Sequence, residues 1–436
     1  MTRRHRTMGR RASVGARIAR TMALAVALAV GRADRGPACA APPPAPVVSA
    51  EVASAVEAWL RAPAKKEQAA LAKALTLLKG DVGLAAQALR THAPLTTGKP
   101  GVQHGIAFAS GGKAWEYSIL LPKGYDGKKR FPVLVLPDHG LVDAAAGIGF
   151  WEGKDGVDAY VVFRPVIAKW QEDKDRLPQG FFPRDQAMAR VMADAMAHLR
   201  LNYAVDADRF VATGLSQAGF YTWYYGVSFP DAFAGLVPES AGGPAVQAAV
   251  LPLARNVAGL SVRILHAEGD QICPYADAVA LRDALQAAKG RVELVTYHDA
   301  DYPGVPFPKR HPGPHNLRLS NVLPWGVTVT REIPASFTRV LRYAATQGHE
   351  GRFRLPVPDD PTKPVTVTCE EKDGALSCDR PGAVYLVCPE DVVAGRVFTV
   401  GGKAVTPKGD VKLLLTSYKA DGDRGRLVAA EIPLAR

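Results

Sequence analysis

The chain has 436 residues, of which 47% are hydrophobic and 22% charged, a composition typical of a globular protein and not of a disordered or fibrous one. Its length favours two or three structural units. The formal net charge is +12, but nine arginines and one aspartate fall within residues 1–40, so the remainder carries only about +4. A body this close to neutral has no strong basic surface for phosphates, which argues against nucleic-acid binding.

Residues 1–40 have the pattern of a signal peptide. Arginines precede the apolar run Thr21–Val30, and small residues follow, with Ala38-Cys39-Ala40 matching a cleavage site. The run is too short to span a bilayer, so we expect an exported protein, periplasmic or extracellular, without a stable transmembrane anchor. Both the Sec and the twin-arginine routes fit. Acylation of Cys39 would instead give a lipoprotein, although Gly36 stands where a large aliphatic residue is expected.

The rest of the chain divides by pattern into four segments. A proline-rich leader over 41–48 precedes an alanine- and leucine-rich helical segment over 49–100, in which Asp81 is suited to cap a helix. Over 101–350, short apolar runs alternate with amphipathic helices, which predicts an α/β domain with a mostly parallel, doubly wound sheet covered on both faces. Residues 355–436 have short β-type runs between glycine and aspartate turns, which predict a small β-rich domain.

One motif in the 101–350 segment predicts a nucleophile. An apolar strand ends in Gly214-Leu-Ser-Gln-Ala-Gly219 and leads directly into a helical stretch. This strand–turn–helix order is typical of a nucleophile elbow, which lifts a serine hydroxyl above the edge of a sheet. The small residues suit the crowded turn, and the helix N-terminus directs N–H groups at a developing oxyanion. Ser216 is therefore the predicted nucleophile.

Together with further segments, this motif resembles the α/β-hydrolase superfamily, nearest its esterase, polyester-depolymerase and prolyl-oligopeptidase-like branch. The other matching segments are, in chain order, residues 117–125, 131–140, 229–242 and 265–275. The resemblance implies an α/β-hydrolase sheet, Asp270 as the acid of a Ser-His-Asp triad, and an oxyanion hole formed by the backbone N–H groups of Gln217 and of Gly140 or Leu141. It implies neither a cofactor nor a catalytic metal.

The triad histidine must follow Asp270 in this chain order, and three candidates do so. His298 comes directly off a predicted strand, too early to reach over the sheet. His311 and His315 both have enough loop before them. We expect His315 to be the base, because two prolines stiffen the chain directly after His311, whereas His315 leads toward a predicted helix near 336–345. His311 is the runner-up.

Two other groupings leave alternatives open. Five residues of the same loop contain metal-ligating groups, but without a fixed ligand spacing: His298, Asp299, Asp301, His311 and His315. Cys369 and Cys378 flank a turn-like insert and would face each other in a β-hairpin as a disulfide, while two reduced cysteines fit the sequence equally well.

These patterns predict an exported serine hydrolase, a carboxylic-ester hydrolase that acts through an acyl-serine intermediate on a small-molecule or polymeric ester. One alternative is a serine peptidase of the prolyl-oligopeptidase-like type. Another is a non-catalytic envelope binding protein that kept the hydrolase fold. The sequence specifies neither the acyl and alcohol groups nor an oligomeric state.

Overall fold

The computed structural model describes residues 46–137, 144–165, 181–298, 300, 311, 315–341, 349–356 and 364–434. The predicted signal peptide and the candidate lipidation site at Cys39 lie outside these ranges. Residues 45–436 form one compact unit. Within the described part of the chain, no helix is both long enough and apolar enough to cross a membrane.

The central element is an eight-stranded sheet. Its strands are β1 (Gly101–Ser110), β2 (Lys113–Leu121), β3 (Phe131–Val135), β4 (Val161–Pro165), β5 (Val205–Leu215), β6 (Gly235–Glu239), β7 (Ser261–Ala267) and β8 (Arg291–Tyr297). Their order in space is β1-β2-β4-β3-β5-β6-β7-β8. β2 is antiparallel to β1 and to β4, and all other neighbours are parallel. The sheet is therefore mostly parallel, as predicted.

Helices connect these strands. They are α4 (Ala144–Gly149), α5 (Phe181–Asn202), α6 (Gln217–Ser228), α7 (Pro244–Ala249), α8 (Tyr275–Ala287) and α9 (His315–Gly326), with 3-10 turns at Val157–Ala159, Pro230–Ala232 and Leu251–Val257. One face of α5 carries the apolar residues that recur at helical spacing, and these are buried: Met188, Val191, Met192, Ala195, Met196 and Leu199.

The two faces of the sheet contribute to two different cores. Because side chains alternate along a strand, Val133 and Val135 pack with α5, α6 and α8, while Leu134 and Leu136 pack with Ile148 and with the α9 residues of the opposite layer. All four side chains are buried. Continuous apolar strands are thus explained by helices on both faces, and the predicted doubly wound architecture is confirmed.

A third core joins the two ends of the described chain. Helices α1 (Ala50–Leu60), α2 (Ala64–Leu78) and α3 (Val82–Thr91) pack against a helix far along the sequence, Val411–Asp421. Asp81 caps α3 as predicted, since its carboxylate accepts the N–H of Leu84 at 2.8 Å. The predicted helical segment therefore completes its core with residues from the C-terminal region.

The described part of the C-terminal region consists of two small sheets and two helices. Its strands are β9 (Phe337–Leu341), β10 (His349–Glu350), β11 (Phe353–Arg354), β12 (Val365–Lys372), β13 (Ala375–Cys378), β14 (Val384–Val387), β15 (Phe398–Val400), β16 (Lys403–Val405) and β17 (Ala430–Pro433), and its helices are α10 (Pro389–Val393) and α11 (Val411–Asp421). The sheet orders are β10-β11-β14-β17 and β16-β15-β13-β12-β9. A small β-rich region was predicted here and is present.

One predicted element in this region is wrong. The expected helix near 336–345 is the strand β9, which pairs with β12 in antiparallel register. The β-branched side chains of Thr338 and Val340 favour an extended backbone, and Thr338 Oγ1 lies 3.1 Å from Thr368 Oγ1 across the strand pair. Partners about 30 residues away along the chain therefore decide the conformation.

Cys369 and Cys378 stand directly opposite each other on β12 and β13 and are joined in a disulfide. The hairpin between them closes through a turn at Asp373 and Gly374, both with positive φ. Cys369 is fully buried in the core of the β-rich region. The crosslink therefore belongs to this core and is remote in sequence from Ser216 and Asp270.

Two buried arginines pair with carboxylates and connect the amino-end side of the central sheet with the C-terminal region. Arg331 donates to Asp208 Oδ1 of β5 at 2.6 Å and to Asp423 Oδ2 at 2.5 Å. Arg339 of β9 donates to Asp231 Oδ1, which precedes β6, at 2.6 Å and also pairs with Glu350. We call these six residues the arginine cluster.

Candidate active site

The turn between β5 and α6 holds Ser216 in a strained conformation. Ser216 has φ of +60° and ψ of −121° and caps the helix that begins at Gln217. Its backbone N–H donates to the carbonyl oxygen of Glu239 at the end of β6 (2.8 Å), and its own carbonyl accepts the N–H of Phe220 (2.9 Å). A positive φ at a non-glycine residue persists only where the surroundings impose it, and this geometry is that of a nucleophile elbow.

The glycines of the motif are required by close backbone approach. A Cβ at Gly214 would lie 2.6 Å from the backbone of Ala218, and one at Gly219 would lie 2.7 Å from the carbonyl oxygen of Glu239. No side chain fits at these separations. The pattern of small residues around Ser216 is therefore a packing requirement of the turn itself.

Asp270 lies in the loop between β7 and α8 with its side chain fully buried. Oδ1 accepts the backbone N–H groups of Ile272 at 2.8 Å and Cys273 at 3.0 Å, and Oδ2 lies 2.7 Å from Nδ1 of His311. Burial alone would raise the pKa of Asp270, but the hydrogen bonds from His311, Cys273 and Ile272 outweigh it and hold the pKa below the usual value. The carboxylate is therefore ionised at neutral pH.

The described structure thus brings His311 to the acid. The His311 side chain is 12% exposed, and its backbone carbonyl accepts a hydrogen bond from Ser240 Oγ at 2.7 Å. An Nδ1–H bound to a carboxylate leaves Nε2 as the basic nitrogen, which is the tautomer that a triad base needs.

The other two candidate histidines are described to different extents. His315, the preferred candidate from sequence, is the first residue of α9, and its side chain lies outside the described part of the structure. His298 follows β8, is 63% exposed, and has Nδ1 3.0 Å from Glu268 Oε2. Two members of the alternative metal set, Asp299 and Asp301, lie outside the described residues.

The oxyanion residues are described in part. Gln217 is the first residue of α6, and N–H groups in the first turn of a helix have no acceptor within that helix. That Gln217 donates to an oxyanion formed at Ser216 stays a prediction. Gly140 and Leu141 lie outside the described residues.

Sequence reasoning missed His266, which lies fully buried beside the acid. Its Nε2 donates to the carbonyl oxygen of Cys273 at 2.9 Å and lies 3.5 Å from Asp270 Oδ2. Burial lowers the pKa of His266, so the ring is neutral and supports the Asp270 loop without adding charge. Its place four residues before Asp270, at the end of a strand, is the one signal in the sequence.

Cys273 also lies beside Asp270, in surroundings that disfavour the thiolate form. Burial and the charge of Asp270 raise the pKa of its thiol to about 11. A thiol needs a lowered pKa to react as a thiolate. The role of Cys273 is to donate its backbone N–H to Asp270 and to accept the hydrogen bond from His266.

No protein-family model matches the chain, and no curated protein matches it significantly. Solved structures are similar to about half of it. A thermostable esterase has a TM-score of 0.42 and 17% identity, covering 53% of this chain and 63% of its own. A putative dienelactone hydrolase from Klebsiella pneumoniae subsp. pneumoniae MGH 78578 has a TM-score of 0.36 and 16% identity, covering 52% of this chain and 98% of its own. An acylaminoacyl peptidase from Pyrococcus horikoshii has a TM-score of 0.38 and 12% identity, covering 54% and 43%.

This chain therefore spans less than two thirds of the length of the esterase and of the peptidase, and identities this low transfer no substrate. The fold itself is given by the chain's own geometry. Its strand order, its elbow at Ser216 and the position of Asp270 after β7 are those of one architecture. The protein has the α/β-hydrolase fold.

Proposed function

We propose that this protein is an exported serine hydrolase that cleaves carboxylic esters through an acyl-serine intermediate. The observation that carries the proposal is the 2.7 Å contact between His311 Nδ1 and Asp270 Oδ2. Both residues follow strands of the sheet whose β5 leads into the elbow at Ser216. We assign Ser216 as nucleophile, His311 as base in place of His315, and Asp270 as acid.

In this mechanism Ser216 Oγ forms a bond to the ester carbonyl carbon while its proton passes to Nε2 of His311. Asp270 stabilises the imidazolium, and the N–H of Gln217 stabilises the oxyanion. The C–O bond then breaks, and the alcohol leaves with the proton from His311. Water attacks the acyl-serine with His311 again as base, which releases the carboxylic acid and restores Ser216.

The region between β6 and β7 supports an open site. It contains only α7 and the 3-10 turn Leu251–Val257. The apolar side chains of this region are buried against α6 and α8: Val246, Ala249, Val250, Leu253, Ala254 and Val257. This interval is part of the core rather than a lid, which suits short soluble esters and the ends of a polymeric ester.

The test uses the purified chain with p-nitrophenyl acetate and butyrate and a fluorophosphonate probe. We expect ester hydrolysis and labelling at Ser216, both abolished in Ser216→Ala with unchanged circular dichroism. Cleavage of peptide p-nitroanilides with a higher kcat/KM than the esters would favour a peptidase. Absence of both hydrolysis and labelling would favour a non-catalytic binding protein.

Export needs its own test. We expect the mature protein in the periplasm or medium to begin at Ala41, found by N-terminal sequencing. An intact N-terminus on cytoplasmic protein would contradict export, and a lipid on Cys39 would replace the soluble form by an anchored one.

A further inference from the structure

Ser240 is a buried serine with an unusual backbone, one residue beyond β6. Its φ is +46°, and it is fully buried. Residues other than glycine rarely adopt this left-handed region, and those that do are mostly asparagine and aspartate. Gly242 and Gly243 follow closely in the sequence, yet the strained position 240 is a serine. An interaction of the Ser240 side chain must therefore offset the energetic cost of the positive φ.

Glu239 and Ser240 are hydrogen-bonded to two of the proposed triad residues and to the strand before the third. The carbonyl of Glu239 accepts the N–H of Ser216 at 2.8 Å, and the N–H of Ser240 donates to Leu265 of β7, the strand that leads to Asp270, at 2.9 Å. The Ser240 hydroxyl donates to the carbonyl oxygen of His311 at 2.7 Å. Two consecutive residues therefore bind the proposed nucleophile, the strand β7 that precedes Asp270, and the proposed base.

We propose that Ser240 is a positioning residue that fastens the backbone of His311 to the end of β6, next to the nucleophile. The inference rests on the proposed function for its catalytic consequence. His311 belongs to a long connection between β8 and α9, and among the described residues two contacts hold it: the side chain bonds Asp270, and the main chain bonds Ser240. With one contact alone the imidazole would rotate about its bond to Asp270. With both, its direction toward Ser216 is fixed, which is how proximity and orientation accelerate a reaction.

Two substitutions separate positioning from simple stability. Ser240→Gly removes the hydroxyl and relieves the strain of a positive φ. Ser240→Ala removes the same hydroxyl and keeps the strain. If the hydroxyl positions His311, both variants lose the same activity although the alanine variant is less stable. If Ser240 matters only for stability, activity follows stability and the glycine variant is fully active.

We expect kcat for p-nitrophenyl acetate to fall about tenfold in both variants, as for the loss of one hydrogen bond, with KM unchanged. The control is Lys289→Gly, because Lys289 has φ of +59° in the turn before β8. It relieves similar strain on the same sheet and should leave kcat unchanged.

A second measurement does not depend on catalysis. Hydrogen–deuterium exchange of the peptide that contains His311 should rise in Ser240→Gly and Ser240→Ala and stay unchanged in Lys289→Gly. If Ser240→Gly has the same exchange and the same kcat as the wild-type protein, the positioning role is overturned and the proposed function is unaffected. A third outcome is that the wild-type protein hydrolyses no ester while the two Ser240 variants still exchange faster than the wild-type protein. That outcome would contradict the proposed function but support the attachment of His311 to Ser240.

Discussion

The two ends of the central sheet are held together by different chemistry. At the carboxyl end, Asp270 is bound by two backbone N–H groups and one imidazole, and Ser216 and Ser240 have strained positive φ values. Toward the amino end, the buried guanidinium groups of Arg331 and Arg339 bind carboxylates of the sheet and of the C-terminal region.

This difference between the two ends of the sheet indicates that residues at the carboxyl end serve reactivity and residues toward the amino end serve stability. At the carboxyl end, strained residues and the Asp270 carboxylate support a histidine with a basic nitrogen, whereas at the other end Asp231 and Asp423 pair with buried guanidinium groups. Removing one partner of a buried ion pair leaves an uncompensated charge, which is costly. We therefore expect substitutions at the carboxyl end to change kcat and those in the arginine cluster to change the free energy of unfolding.

The largest effect is expected at His311. His311→Ala should lower kcat for p-nitrophenyl acetate by about 10³-fold or more, because the base that takes the proton from Ser216 is lost. The melting temperature should change little. His298→Ala is the control, because that side chain is 63% exposed and pairs with Glu268. A large loss in His315→Ala with an active His311→Ala would reverse the assignment of the base.

Arg331→Met should have the largest effect on stability. It leaves Asp423 buried without the guanidinium that donates to both of its carboxylate oxygens, so we expect the free energy of unfolding to fall by about 3–5 kcal/mol in urea titrations. The folded fraction should keep its kcat. Arg282→Met removes a surface pair with Asp283, whose side chain is 56% exposed, and should change stability by less than about 0.5 kcal/mol. Equal effects of the two substitutions would remove the distinction between the two ends.

The arginine cluster also predicts a pH dependence. Burial raises the pKa of Glu350 to about 7, while Arg339 keeps the pKa of the neighbouring Asp231 below its usual value against the effect of burial. Folded protein therefore holds a proton on Glu350 that the unfolded chain releases near pH 4.5. The stability that this proton contributes is fully present below that pH and is lost as the pH rises through about 7.

Glu350→Gln removes the titrating group and keeps its shape. In urea titrations from pH 5 to pH 8, we expect the variant to gain stability relative to the wild-type protein as the pH rises. Asp231 has a lowered pKa and so changes its contribution only at more acid pH. Parallel stability curves for the two proteins would contradict a raised pKa at Glu350.

The smallest effect is expected at Ile272, an apolar side chain left 56% exposed beside Asp270. Ile272→Ser should lower kcat/KM for p-nitrophenyl butyrate about threefold more than for the acetate, because contact with the longer acyl chain is lost. Val393→Ser removes an exposed valine of α10 and is the control. An unchanged ratio would exclude Ile272 from acyl binding.

The sequence predicts what depends on local pattern. The strand, turn and helix around Ser216 are contiguous, and Asp270 follows its strand by three residues. Both positions can therefore be predicted from neighbouring residues in the sequence. The choice between His311 and His315 is different. The flanking prolines favour His315, whereas the contacts of His311 come from residues 41 and 71 positions away. No local pattern reports such partners.

The same limit applies to the C-terminal region. Its β-rich character follows from short alternating runs and turn residues, but its attachment does not. β9 was predicted as a helix because its pairing with β12 is not visible in Phe337–Leu341 alone. Likewise Asp423 looks like a surface turn residue until its pairing with Arg331 is known.

The core shared by α1, α2, α3 and α11 bears on the order in which the chain folds. These first helices have 11, 15 and 10 residues, and isolated helices this short are marginal in water. Their partner lies more than 300 positions later, as in the hydrogen bond of Lys419 Nζ to the carbonyl of Trp59 across 360 residues. Contacts of such separation form slowly and only after the later segment has been synthesised. During translation, helices α1, α2 and α3 are therefore made long before α11, and they complete their core only after α11 has been synthesised.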